Sequence, residues 1–268
     1  MTIFIICHDQ LPNYRPPKDS KIIWLNTLSP SNPQGLDVIH GYDFFENAQA
    51  LHEKLSGAFG SMVILKLLES GDIKTDSITI WQYRKFVIFT KHGISSPNYP
   101  SMYVIQAKAA NNIKFTTELS SAKKFILPQL VTINNLYAQY LAVHNIIDLL
   151  RYTTIAVESD VLSSQDSFHF FNSKYLVPGG VELGTYPANW WVKNFKNVAS
   201  VALNFVENFE PYQKDNPYQK RAIAFCQERL GSYLLLKHIT EIYGTALPSS
   251  LFGTMHSVTT DGIYRPGT

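Results

Sequence analysis

The chain has 268 residues, 45% of them hydrophobic, 13% aromatic and 16% charged, which suits one large domain or two small ones and is too aromatic for a disordered segment. Its 23 basic and 21 acidic residues leave a formal charge of +2, which gives no long-range field for a nucleic-acid backbone and argues against a nucleic-acid partner. Cys7 and Cys226 lie far apart without metal-ligand spacing, so both are expected as buried thiols rather than a disulfide or zinc framework.

Thr2 to Cys7 (TIFIIC) is a β-branched apolar run stopped by His8, Asp9 and Pro12, the pattern of a central strand buried on both faces. The run is too short for a signal peptide or a membrane span, so a cytoplasmic location is expected, with at most peripheral contact to the inner membrane. Lys21 to Leu25 and Leu36 to His40 read as neighbouring strands, separated by the turn-forming Ser29-Pro30-Ser31-Asn32-Pro33. From Phe45 the apolar spacing becomes helical through Ala48, Leu51, Leu55, Phe59, Val63 and Leu67, with a break or close packing expected at Gly57 and Gly60. Asp76 to Thr90 returns to strand composition, so the first part alternates strand and helix.

Two long helical patterns dominate the second half, Leu127 to Arg151 and Asn216 to Tyr243. The later one has Asn216 as a cap, Pro217 at the first turn and Gly244 at the close. Between them lie a strand-like run, Thr153 to Val157, a Pro178-Gly179-Gly180 turn and an aromatic stretch with Trp190 and Trp191. Leu247 to Thr268, rich in Gly, Pro, Ser and Thr, is expected as a flexible end or a lid. The fold class is α/β, a sheet with flanking helices in the N-terminal half and a mainly helical C-terminal half. The segments are 1–120, 121–245 and a 246–268 tail, or one continuous domain.

No phosphate-binding P-loop, dinucleotide GxGxxG, nucleophile elbow or HExxH is present; His52 begins HEKLS, and Ser56 stands where the second histidine would be. Four constellations remain. Gln82-Tyr83-Arg84-Lys85 interrupts an apolar strand. Alternation puts Gln82 and Arg84 on one face, either to meet phosphate or as a solvated strand edge. Glu158 and Asp160 follow the Thr153 to Val157 run, where extended backbone would let both carboxylates share a divalent metal; solvation or helix capping is the competing reading. His144 and Asp148, four apart on the first long helix, form either an imidazole oriented by a carboxylate or a structural pair. Arg221 and Glu228 share a face of the later helix with Phe225 between them, as a ligand site or an interdomain ion pair.

In order, these pieces resemble a bacterial family of polysaccharide-biosynthesis proteins, long carried as a domain of unknown function and described as capsular or lipopolysaccharide glycosyltransferases. The likeness rests on Ile6-Cys7-His8, on Tyr83-Arg84, on His144 with Asp148-Leu149, and above all on Tyr218-Gln219-Lys220-Arg221, Phe225 and Glu228-Arg229-Leu230. Gln82 stands where that family has histidine, and its Asn-Met element is replaced near Leu176 to Val181.

The resemblance implies that the sheet is GT-A-like, and it implies transfer of a sugar from a nucleotide-sugar donor, a UDP-sugar foremost, to a saccharide acceptor that can be lipid-linked. Residue reading and resemblance together make His144, Asp148 and Glu228 the catalytic candidates. His8, Asp9, Tyr83, Arg84, Lys85, Arg221 and Arg229 are the donor-binding candidates, and Glu158 and Asp160 the candidate metal ligands. Trp190 and Trp191 would offer sugars a stacking surface. A non-catalytic carbohydrate-binding or assembly subunit is the alternative.

Overall fold

The structure, a computed structural model, describes residues 1–33, 35–115, 119 and 125–264. The boundary expected at 120–121 and the last residues of the tail, 265–268, lie outside the described residues.

The apolar runs form strands where expected: β1 (Thr2–Cys7), β2 (Lys21–Trp24) and β3 (Asp37–His40), paired in parallel. The helical stripe folds as α1 (Ala48–Leu55) and α2 (Gly57–Glu69). The break falls at Ser56, whose φ is +50°, while Gly60 is the close-packing glycine: a Cβ there would lie 2.6 Å from Ile6. The Asp76 to Thr90 stretch is a tight hairpin, β4 (Ser77–Gln82) and β5 (Lys85–Ile88). β6 (Ile94–Ser95) and β7 (Met102–Gln106) follow, with the short α3 (Ala107–Ala110).

The expected Leu127 to Arg151 helix is not one helix. It contains β8 (Leu127–Pro128), β9 (Val131–Thr132), α4 (Leu136–Leu141) and the start of α5 (Ile146–Glu158). Asn135 and Asn145 each cap a new helix by accepting a backbone N–H, from Ala138 and Ile147 respectively. The Thr153 to Val157 run belongs to α5, because Leu149, Tyr152, Ile155 and Ala156 form a buried stripe at helical spacing.

α6 (Ser164–Phe171), β10 (Tyr175–Leu176) and β11 (Gly184–Pro187) lead to α7 (Ala188–Asn208), which buries Trp191, Phe195, Val198, Ala202 and Phe205. Asn216 accepts from the amides of Tyr218 and Gln219, a turn before α8 (Ala222–Tyr243), and Gly244 closes that helix at φ +78°. The expected tail corrects to a strand: β12 (Phe252–Thr259) lies inside the sheet.

The main path runs β3-β2-β1-β4-β5-β12-β7-β6, with β11 on β4 and β8 on β12, while β9 and β10 pair separately. β12 runs antiparallel to β5 and parallel to β7, so the sheet draws strands from the first and last parts of the chain. Alternation in β1 sends Phe4 and Ile6 to a core shared with α2, α7 and α8, and Ile3, Ile5 and Cys7 to a second core with Trp81, Phe86 and Phe115. The sheet is thus mixed and covered on both faces. Both cysteines are buried and free, as expected.

Candidate active site

Parallel β1, β4 (to β1) and β12 (to β7) all end at one edge of the sheet, the edge at which open α/β sheets take ligands. A cleft of about 550 Å³ opens there. Its walls include His8 and Asp9 after β1, Ser56 between α1 and α2, Gly57-Ala58 at the start of α2, and the Gln82 to Lys85 hairpin. Gly179, Glu182, Arg221, Phe225, Glu228 and Tyr264 complete it.

Gln82 to Lys85 is a turn rather than a strand with alternating faces, because Gln82 pairs with Lys85 and leaves Tyr83-Arg84 at the tip. The backbone of that tip is pinned: Tyr83 N–H donates to Ile6 O at 2.9 Å, Asn13 N–H to Tyr83 O at 2.9 Å and Val258 N–H to Arg84 O at 2.7 Å. Arg84 lies over the Tyr83 ring, 5.4 Å from its centroid, and Arg221 lies 5.4 Å from the centroid of Tyr218. Burial, then Arg84, lowers the Lys85 pKa. Among the described residues, no carboxylate forms an ion pair with Arg84, Lys85 or Arg221.

The cleft also receives the amino end of α2. Gly57 and Ala58 line it, and the Ser56 side chain makes no capping bond, so the first turn of the helix, with its uncapped N–H groups and the positive end of its dipole, belongs to the same cleft as the three cations.

His8 is held from behind by a chain that sequence reading missed. His8 Nδ1 and His52 Nε2 are 2.7 Å apart, and Tyr42 Oη and His52 Nδ1 are also 2.7 Å apart. Burial, then His52, pushes the His8 pKa down to about 4, so the imidazole faces the cleft neutral.

Glu182 was missed as well. It is buried, accepts from Gln227 Nε2 at 2.9 Å, and burial followed by Glu228 raises its pKa to about 8. It stands on a loop that is pressed against α8: Gly180 has φ +55°, and a Cβ there would lie 2.6 Å from Glu228 O. The signal was an acid alone in an apolar run, Val181-Glu182-Leu183, which can be buried only as the neutral acid or with a partner.

Several expected residues sit elsewhere. His144 lies between α4 and α5, not on one helix with Asp148. Its Nδ1 meets Gln219 Oε1 at 3.2 Å and its ring stacks on Phe225 at 4.1 Å, with burial lowering its pKa to about 4. Asp148 Oδ1 instead accepts from Tyr212 N–H at 2.9 Å, and burial raises its pKa. Neither lines the cleft.

Arg229 turns into the core, 5% exposed, donating to Phe225 O, Glu228 Oε2 and Gln139 Oε1. Glu228 does line the cleft, but its oxygens take the Gly179 and Arg229 N–H groups, so it holds the loop against the helix. Glu158 ends α5 and Asp160 follows at φ +55°, both exposed. The extended backbone that would let them share a metal is absent, and among the described residues no three His, Cys, Asp or Glu side chains converge on a metal position. Trp191 is fully buried against Phe195, and Trp190 packs on Tyr186 and His238, so neither offers a sugar-stacking face.

No protein-family model and no curated protein matches the chain. Among solved structures it is similar to one titled as the apo structure of the bifunctional glycosyltransferase WbbM, with 13% identity and a TM-score of 0.67. The chain carries a glycosyltransferase-like fold. The match covers 100% of this chain and 47% of that protein, so the chain spans about half of its length. The expected mixed α/β sheet with flanking helices therefore holds at the level of fold, consistent with the GT-A-like expectation. Among the described residues no helix is long and apolar enough to cross a membrane.

Proposed function

We propose that the protein is a glycosyltransferase that moves a sugar from a nucleotide-sugar donor, a UDP-sugar foremost, to a saccharide acceptor in bacterial surface polysaccharide synthesis. The observation that carries this reading is the meeting of Arg84, Lys85 and Arg221, none of them ion-paired with a carboxylate among the described residues, with the amino end of α2 in one cleft. That combination suits a diphosphate. As the acceptor hydroxyl oxygen bonds to the anomeric carbon, its proton passes to the Asp9 carboxylate at the cleft wall, the bond from that carbon to the diphosphate oxygen breaks, and the electron pair leaves with the diphosphate. The cations and amides stabilise the charge that grows there.

Protonated Glu182 adds a hydrogen-bond donor without repelling the diphosphate, the behaviour of a carboxyl kept neutral by an apolar site. His8 would meet the nucleoside, held by His52 and Tyr42. In this reading the neutralising charge comes from side chains, and a divalent ion contributes little.

A thermal-shift screen with UDP, GDP and CMP, each with magnesium or with EDTA, tests the proposal. At 100 times its dissociation constant a matched nucleotide adds about 2.7 kcal/mol of stability, and the shift should appear with one nucleotide class and survive EDTA. No shift with any nucleotide would remove the donor site. A nucleotide sugar that binds but is never hydrolysed or transferred would favour a carbohydrate-binding subunit.

A further inference from the structure

A second cavity, about 470 Å³, adjoins the cleft and shares Asp9, Tyr83, Arg84 and Tyr264 with it. The pinned Tyr83-Arg84 turn and Tyr264 therefore form a wall between two compartments. Their chemistry differs. The cleft gathers three cations and a helix amino end, whereas the second cavity has Arg84, on the shared wall, as its one Lys or Arg among the described lining residues. The rest of its polar lining is Gln10, Asn13, Ser257, Thr259, Thr260 and Asp261, besides the shared Asp9.

Ser257 and Thr259 are two apart on β12, so both hydroxyls project from the same side of the strand. Ser257 is 1% exposed, and neither its Oγ nor Thr259 Oγ1 has a hydrogen-bond partner. Buried hydroxyls are ordinarily paired, so this pair points to a ligand with hydroxyls of its own. Tyr83 and Tyr264 add aromatic surface at the shared wall, the apolar body with a polar tip that suits a sugar ring.

We propose that this second compartment binds a neutral saccharide, and that Ser257 and Thr259 are its specificity-determining contacts. Its identity as the acceptor rests on the transferase reading above; the saccharide site itself does not. With the donor diphosphate on one side of the Tyr83-Arg84 wall and the sugar on the other, the acceptor hydroxyl approaches across the rim that Asp9 shares with both.

The test is amide NMR of the full chain, titrated separately with UDP and with the methyl pyranosides of galactose, glucose, mannose and rhamnose at high millimolar concentration. At least one glycoside should shift the amides of Ser257, Thr259 and Thr260 and spare Gly57 and Ala58, with UDP doing the reverse. The double variant Ser257→Ala with Thr259→Val should weaken that glycoside about tenfold, the worth of roughly two neutral hydrogen bonds lost, and leave UDP binding unchanged. Thr259→Val alone, at the less buried end of the strand, serves if the double variant does not fold.

No glycoside response at residues 257–260 overturns the proposal. So does a UDP response centred there, which would make the compartment a nucleoside site. Glycoside shifts at 257–260 with no UDP response anywhere would instead sink the donor reading and leave the saccharide site standing.

Discussion

The two walls of the cleft use the same kinds of residue to opposite ends. On the helical wall Glu228 takes N–H groups through both oxygens, and behind that wall, off the cleft, the protein consumes the polar groups as well: His144 is stacked and bonded to Gln219, and Arg229 is spent on Glu228, Gln139 and a backbone carbonyl. On the sheet-edge wall the backbone is pinned, while Arg84 and Lys85 form no ion pair with a carboxylate among the described residues. Buried polar groups must be satisfied internally or by a ligand, so position in a motif says less about function than what remains unpaired.

The sharpest way to break this contrast is to part the helical wall from its loop. Gly180→Val places a side chain at φ +55° against Glu228 O. We expect a loss of at least about 4 kcal/mol in chemical denaturation, from backbone strain plus overpacking. His144→Ala should cost about 2 to 3 kcal/mol of stability through lost aromatic packing and the cavity left. Nucleotide affinity, measured by calorimetry, should stay within twofold and transfer by the folded variant should persist, whereas a catalytic His144 would show retained binding with lost transfer.

Arg84→Ala should behave in the opposite sense. Its folding midpoint should hardly move, and donor binding should fall by about 1.5 to 3 kcal/mol, the worth of a charged hydrogen bond.

The subtlest effect is in pH. Glu182 holds its proton to about pH 8 in the folded protein and releases it in the ordinary carboxylate range when unfolded. Folding is therefore favoured most at low pH, and the contribution is lost as pH rises through about 8, with a slope approaching about 1.4 kcal/mol per pH unit. Glu182→Gln should flatten that slope and also remove the weakening of diphosphate binding expected as the wild type ionises. An unchanged slope in this variant would show that Glu182 does not carry the proton.

What sequence could reveal followed the reach of each interaction. β1 and β2 announced themselves because strands buried on both faces need continuous apolar runs. β12 did not: FGTMHSVT has no such run, and its place is set by pairing with β5 and β7, far away in the chain. A composition that suggested a lid was that of an interior strand. The Leu127 to Arg151 misreading had a local remedy, since Asn135 and Asn145 mark new helix starts, but Leu136, Tyr140 and Leu149 carried the apolar rhythm past them.

At the site, His8, Asp9, Tyr83, Arg84, Lys85 and Arg221 came together as the motif order suggested. Glu182, His52, Ser257 and Thr259 were hidden because each depends on a contact between distant segments.

The most direct measurement is a crystal structure of the protein with UDP and then with a UDP-sugar. The account predicts diphosphate density against the amides of Gly57 and Ala58 and within hydrogen-bond reach of Arg84, with Lys85 or Arg221 beside it. Density for the diphosphate anywhere else, such as the separate groove lined by Tyr175, Tyr233 and Lys237, would contradict the assignment of this cleft as the donor site.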